Sequence, residues 1–123
     1  MIKKIVDRVL KNEIGEVKVN VIFVGERHIK DLNRDYRDID SPTDVLTFLY
    51  KDQDLFGEIF ICPRQVEKNA TKYKQPYLTE LIRVVIHSCL HLSGYDHELS
   101  DNRSKEMFIK QEEYLKEVER YDS

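Results

Sequence analysis

Residues 78–92 form the most apolar stretch of the chain, and this stretch constrains the fold more than any other feature. Its apolar residues are Leu78, Leu81, Ile82, Val84, Val85, Ile86, Cys89, Leu90 and Leu92. At helical spacing they lie nearly all round the axis, and a helix that is apolar on every side is buried. Gly94 is the expected C-terminal stop. We therefore expect a helix over 78–92 in the middle of the domain.

The rest of the chain supplies elements that can surround this helix. Apolar residues recur every three or four positions in four other segments, which predicts four amphipathic helices: residues 2–11, 29–37, 65–74 and 101–118. Alternating or β-rich runs predict three strands, at residues 16–24, 45–50 and 56–62. Helices mixed with strands over 123 residues predict a single α/β or α+β domain covering residues 1–123.

Composition excludes several classes of protein. Hydrophobic residues make up 41% and charged residues 35% of the chain, which is typical of a soluble globular domain. No stretch approaches the roughly 20 apolar residues of a membrane span, and the charged segment 1–12 does not resemble a signal peptide. Cys62 and Cys89 are too far apart to indicate a disulfide scaffold. We expect a reduced, cytoplasmic protein that does not bind membranes.

The balance of charge gives no general attraction to nucleic acid, because the net charge is −3. If the chain binds RNA or DNA, it must do so through a local basic groove. The candidate cations for such a groove are Arg34, Arg37, Lys68, Lys72 and Lys74. Charges at helical spacing are more often a solvated helix face, and both interpretations stay open for these residues.

Three of the four histidines cluster at the end of the buried helix, in the pattern H-x-x-x-H-x-x-G-x-x-H. His87 and His91 are four residues apart, so both imidazoles project from one helix face. Gly94 allows the chain to turn, and His97 follows in the next loop. Three histidines leave one position of a tetrahedral zinc open for water, which is typical of a catalytic site. Zinc lowers the pKa of its water to roughly 7 and so makes hydroxide available.

Two other interpretations of this cluster remain. Histidines on a buried helix are often hydrogen-bonded core residues, although the glycine between the second and third makes that less favoured here. The spacing is also that of the metzincin proteases, H-E-x-x-H-x-x-G-x-x-H. In those enzymes the residue after the first histidine is a glutamate that acts as general base, whereas this chain has Ser88. The protease is therefore the second choice.

Three blocks of sequence resemble one known family. They are HSCLHLSGYDH at 87–97, LNRDYRDIDSPTDVLTF at 32–48 and GEIFICPRQVEKNA at 57–70. These blocks, in this order, closely resemble the bacterial YbeY family of metal-dependent endoribonucleases, and the similarity covers roughly residues 30–115. The chain departs from the usual family pattern at Ser88, where glycine is common, and at Glu58, where aspartate is common.

The resemblance implies a small mixed sheet of about four strands with about five helices around it. It implies one zinc ion per chain, held by His87, His91 and His97, with His87 also in the catalytic machinery. The implied activity is cleavage of single-stranded RNA in maturation of the 16S rRNA 3′ end and in ribosome quality control. The implied partners are ribosomal RNA, the small ribosomal subunit and ribosome-assembly proteins. A non-catalytic assembly factor with a structural metal is a further alternative.

Five further residues are candidates for the site. Some family members carry a functional arginine after the strand that ends in cysteine, and Arg64 lies one position later than that arginine. Thr43 and Asp44 fall in the second block, where we expect a wall of the cleft, and Arg37 is a candidate for substrate binding. Asp96 is a candidate for orienting a histidine ligand by a hydrogen bond. Local turn or surface roles are the alternative for each.

Overall fold

Five helices and three strands follow one another along the residues that the computed structural model describes. The backbone is described for residues 1–95 and 101–122, and the side chains for residues 1–95 and 104–120. The elements are α1 (Ile2–Glu13), β1 (Val19–Phe23), α2 (Glu26–Arg37), β2 (Val45–Leu49), β3 (Gly57–Ile61), α3 (Pro63–Lys72), α4 (Tyr77–Leu92) and α5 (Asp101–Asp122). The five predicted helices are confirmed, and the domain is α+β.

The three strands form one mixed sheet in the order β1-β3-β2. β1 and β3 are parallel, with Val19 opposite Gly57 and Phe23 opposite Ile61. β2 and β3 are antiparallel, with Leu49 opposite Gly57. Because side chains alternate between the two faces of a sheet, this register gives each face its own set of apolar residues.

The two faces of the sheet pack against different helices. Ile59 and Ile61 of β3 are fully buried in the large core that also contains residues of α1, α3, α4 and α5. Leu46 of β2 and Phe60 of β3 belong to a smaller cluster around Ile29 of α2. The sheet is therefore a layer between α2 on one side and the other four helices on the opposite side.

Helix α4 lies at the centre of the large core, as its sequence predicts. Val85, Ile86, Cys89 and Leu90 are fully buried. The helices α1, α3 and α5 all pack against it, and so does β2. A central helix held on several sides is a rigid support for side chains that project from its remaining face.

The sheet has three strands within the described residues, so the expectation of about four is wrong there. The described residues outside β1, β2 and β3 form helices, turns or irregular segments, so none of them adds a fourth strand. The predicted strand at 16–24 also pairs over a shorter range, because β1 follows β3 only from Val19 to Phe23. Among the described residues, the helices are too short or too polar to cross a lipid bilayer.

Candidate metal centre

The end of α4 is fixed by a glycine turn immediately before the predicted third ligand. The amide of Gly94 donates to the carbonyl of His91, and the amide of Tyr95 donates to the carbonyl of Leu90, each at 3.1 Å. This pair of hydrogen bonds is a Schellman motif. It requires a positive φ at Gly94, which is +106° and which other residues rarely adopt. The stop predicted at Gly94 is confirmed.

His87 and His91 both lie on α4, one helical turn apart. Residues at this spacing share a face, with Cβ atoms about 5–6 Å apart. His87 is half-buried, whereas His91 is exposed at the end of the helix. The pair therefore runs from the edge of the core to the surface at the end of α4.

The His87 ring is held by α5. Its Nδ1 lies 2.8 Å from Oε1 of Gln111, which is itself buried. Metal-binding histidines usually make such a contact through the second ring nitrogen, which orients the ring. Imidazoles are good ligands for zinc, so the described donors fit the expected metal. The fit rests on the chemistry of these two histidines and on the support that Gln111 gives to the first.

A cavity of about 250 Å³ opens beside His87. Its walls are Asp44, Val45, Glu80, Arg83, Val84, His87 and Gln111. Arg83 donates to both carboxylate oxygens of Glu112, at 3.2 and 3.3 Å, and to Glu80 at 3.3 Å. Burial works to lower the pKa of Arg83, but the hydrogen bonds and charges of Glu112 and Glu80 outweigh it and raise the pKa. The guanidinium therefore stays charged and ordered at the cavity wall.

Asp44, one of the candidates from the second sequence block, lines this cavity. Its Oδ2 accepts from the Asn69 side chain at 3.4 Å, and its Oδ1 accepts from the Thr43 hydroxyl at 3.3 Å. Its backbone carbonyl accepts from the amide of Cys62 at 2.9 Å, which ties the start of β2 to the end of β3. Asp44 thus lines the same cavity as His87, and Thr43 contacts Asp44.

The two candidate arginines lie elsewhere. Arg64, in the first turn of α3, pairs with Glu67 at 2.8 Å and with Glu26 at 3.8 Å, and it is not among the residues that line the cavity. Arg37, at the end of α2, is exposed and is also absent from the cavity wall. The structure therefore brings neither Arg64 nor Arg37 to the cavity beside His87.

Two candidates fall outside the described residues. These are His97, the predicted third ligand, and Asp96, the predicted partner of a ligand. Within the part of the chain that the structure describes, no three His, Cys, Asp or Glu side chains come together to hold a metal. A complete three-histidine site thus remains a prediction that depends on His97.

Ser88 and Cys89 both face the interior and not the histidine face. The Ser88 hydroxyl donates to the carbonyl of Val84 at 2.8 Å, and the residue is 1% exposed. The serine therefore neither crowds the cavity nor replaces the general base of a metzincin protease. Cys89 is fully buried, and burial raises the pKa of its thiol to about 12. It is a core residue, as expected.

Sequence reasoning missed Gln111 and the Arg83–Glu112 pair. Gln111 was visible as a polar residue among the apolar positions of the last predicted helix, with Met107 and Leu115 on the same side. A polar residue in a buried stripe needs a hydrogen-bond partner. Only the packing of α5 on α4 shows that this partner is His87.

The fold and the site together define an α+β domain with two histidines on one face of its central helix, of which His87 lines a cavity. The sequence profile of the family described as Endoribonuclease YbeY matches residues 1–119. The chain belongs to this family of endoribonucleases.

Individual relatives agree with the profile. A protein of Thermotoga petrophila named Endoribonuclease YbeY is 52% identical over 117 residues, which cover 95% of this chain and 78% of that protein. One of Thermosipho melanesiensis with the same name is 50% identical and covers 89% of this chain and 80% of its own length. A Thermotoga maritima protein of known solution structure is similar in fold, with a TM-score of 0.71 and 51% identity. That similarity covers 95% of this chain and 78% of the other.

Proposed function

We propose that this chain hydrolyses single-stranded RNA with the help of one zinc ion per chain, in maturation of the 16S rRNA 3′ end and in ribosome quality control. The observation that carries the proposal is the pair His87 and His91 on one face of a buried helix, with His87 lining a cavity. Membership of the endoribonuclease family identifies RNA as the substrate class. Phosphodiester hydrolysis suits such a site, because it needs an activated water and a stabilised phosphoryl charge.

His87, His91 and His97 are the residues that would hold the zinc ion. The bound ion supplies Lewis acidity and lowers the pKa of water. His87 is the ligand whose position the described structure supports most directly, through Gln111. His91 is exposed at the helix end, so an RNA strand in solvent can reach this histidine.

Asp44 and Thr43 are the proposed substrate contacts at the cavity. A carboxylate accepts hydrogen bonds only, and the 2′-hydroxyl of RNA is a donor that DNA lacks. Asp44 lines the same cavity as His87 and accepts hydrogen bonds from Thr43 and Asn69. We infer that it accepts a hydrogen bond from a ribose hydroxyl next to the scissile phosphate, which would favour RNA over DNA.

In this proposal Arg37 and Arg64 contact RNA phosphates outside the metal centre. Arg37 is exposed and has no ion pair with another residue of the described chain, so it is the better candidate for a flanking phosphate. Arg64 is engaged by Glu67 and Glu26. It must exchange these carboxylates for a phosphate to take a catalytic part. Asp96 keeps its proposed role of orienting a histidine ligand.

The proposed setting is the cytoplasm, where ribosomal RNA and the small ribosomal subunit are the partners, with assembly proteins in addition. A structural-metal assembly factor is the competing function, and the large core argues against it. That core packs buried apolar residues of α1, β3, α3, α4 and α5 together, without a contribution from a metal. Chelation should therefore leave the chain folded, whereas a chain folded by its metal would unfold.

The test combines metal content, fold and cleavage in one set of purified proteins. Metal per chain is measured by mass spectrometry for wild type, H87A/H91A and H28A, and cleavage of a 16S 3′-end RNA fragment is followed in the same samples. His28 is an exposed histidine on α2 and serves as the matched control. We expect one zinc per chain and cleavage in wild type and H28A, and loss of both in H87A/H91A.

Other results would change the conclusion in specific ways. Bound metal without cleavage would move the function to ribosome assembly or to an activity that needs a partner. Unfolding of the wild type by a chelator, seen in its circular dichroism, would make the metal structural. An absence of metal under every loading condition would refute the histidine centre.

A further inference from the structure

Gln111 is a buried polar residue whose amide is bonded at both ends. It is 7% exposed. Its Oε1 lies 2.8 Å from Nδ1 of His87, and its Nε2 donates to Oε2 of Glu112 at 3.3 Å. An amide group can be turned by 180° at almost no change in shape, so its orientation must come from these two partners.

The carboxylate of Glu112 decides the orientation. An ionised carboxylate only accepts hydrogen bonds, and Arg83 engages both of its oxygens. The atom of Gln111 that faces Glu112 must therefore be the amide nitrogen. The amide oxygen is then left to face His87, and an oxygen in that place can only accept a hydrogen bond.

An accepting oxygen beside Nδ1 fixes the proton on the neutral imidazole. Nδ1 must carry the hydrogen and donate it to Gln111. The lone pair then lies on Nε2, which is the nitrogen that can ligate a metal ion.

The ion pair that orients the amide is itself held by α4. Arg83 lies one turn before His87 on the same helix, and Glu80, which is 9% exposed, accepts from it at 3.3 Å. The contacts thus pass from Arg83 on α4 to Glu112 and Gln111 on α5, and return to His87 on α4. In each of these contacts a donor faces an acceptor. If the Gln111 amide were turned round, its oxygen would face the carboxylate of Glu112, and that hydrogen bond would be lost.

We propose that the Arg83–Glu112 ion pair, acting through Gln111, holds His87 in the Nδ1–H tautomer that ligates metal. Gln111 and Glu112 are then positioning residues of the metal centre. The proposal rests on the proposed function only in taking His87 as a ligand, because the tautomer itself is a property of the metal-free protein. It assigns a task in the site to the polar network between α4 and α5.

The experiment reads the tautomer directly. Nitrogen-15 NMR correlations of the histidine rings distinguish Nδ1–H from Nε2–H, and they are recorded on metal-free protein at about pH 8, above the usual histidine pKa. The variants are Q111M, which keeps the length of the side chain without its oxygen, and E112Q, whose amide can also donate. E113Q is the matched control, since Glu113 is the next residue on α5 and is exposed.

We expect the Nδ1–H tautomer at His87 in wild type and E113Q, and a larger share of the Nε2–H tautomer in Q111M and E112Q, because the acceptor beside Nδ1 is lost or reoriented. Zinc affinity, measured against a chromophoric chelator, should fall about 10-fold in Q111M and be retained in E113Q. Q111E keeps an accepting oxygen beside Nδ1 and should therefore keep the Nδ1–H tautomer. If Gln111 had only a structural role, the tautomer would not follow the presence of this oxygen.

Two results would overturn the proposal. One is an Nε2–H tautomer at His87 in the wild type, and the other is an unchanged tautomer in both Q111M and E112Q. If Q111M does not fold, E112Q decides alone. A failure of RNA cleavage with the tautomer pattern as expected would count against the proposed function and not against this network.

Discussion

The carboxylate of Glu13 accepts a 2.9 Å hydrogen bond from the hydroxyl of Tyr95, although the two residues are 82 positions apart. Glu13 also accepts from the hydroxyl of Tyr114 at 2.5 Å and lies 3.5 Å from Nζ of Lys110. An acidic residue at the C-terminal end of α1 is disfavoured by the helix dipole. Its tertiary contacts must therefore outweigh that local cost, and they join α1 to α5 and to the turn after α4.

Replacing Glu13 with glutamine should destabilise the fold by about 1–2 kcal/mol. Hydrogen bonds to a charged group are worth about 1.5–3 kcal/mol, while the amide keeps part of them and relieves the dipole conflict. Urea unfolding at pH 7 measures the change. E16Q is the control, because Glu16 is exposed and has only a 3.9 Å contact with Lys11, worth less than about 1 kcal/mol. Equal stability of both variants and wild type would contradict the prediction.

The stabilisation by Glu13 should depend on pH. Burial works to raise the pKa of Glu13, but the hydrogen bonds from Tyr114 and Tyr95 and the charge of Lys110 outweigh it and lower the pKa. A carboxyl with a lowered native pKa stabilises the fold fully above its unfolded pKa, about 4.3. This contribution is lost as the pH falls through the native value. The stability difference between wild type and E13Q should therefore shrink between pH 5 and pH 3.

The control for this titration is the same series with E16Q. Its difference from wild type should be small at every pH, because the Glu16 side chain is 87% exposed. A difference between wild type and E13Q that stays constant down to pH 3 would mean that the ionised form of Glu13 is not what stabilises the helix junction.

Much of the fold could be predicted because the signal was local. Residues 78–92 are apolar on all sides, which predicts a buried helix whatever packs on it. The turn at Gly94 was equally predictable, since a glycine after an apolar helix is a common stop. Both features depend only on neighbours in sequence.

The features that could not be predicted depend on how helices cross. Phe108 is one of the apolar residues of the last helix but is 61% exposed. The buried side of α5 is centred on Met107, Gln111, Tyr114 and Leu115. Phe108 lies about 100° from Met107 around the axis, because the helix has 3.6 residues per turn. The partner of Gln111 is 24 positions away, and no local pattern connects them.

Replacing Asp44 with asparagine should lower kcat/KM for RNA about 10-fold, if Asp44 accepts a hydrogen bond from ribose. A charge-assisted hydrogen bond of about 1.4 kcal/mol corresponds to that factor. The shape is kept, so urea unfolding should change little. D40N is the matched control, since Asp40 is an exposed residue of the preceding loop with a 4.0 Å contact to Lys30. A normal kcat/KM in D44N would remove Asp44 from the substrate site.

Gly57 in β3 has no room for a side chain. A Cβ atom there would lie 2.7 Å from the backbone oxygen of Phe48 and 3.1 Å from Cδ2 of Leu92. The oxygen belongs to the neighbouring strand β2, so relief requires movement of the sheet or of the end of α4. We expect G57A to destabilise the fold by about 1–3 kcal/mol, measured by urea unfolding.

G25S is the control, because Gly25 has open space and is the N-cap of α2, where serine is favoured. G25S should be at least as stable as wild type. If G57A were equally stable, the close contact between β3, β2 and α4 would be wrong.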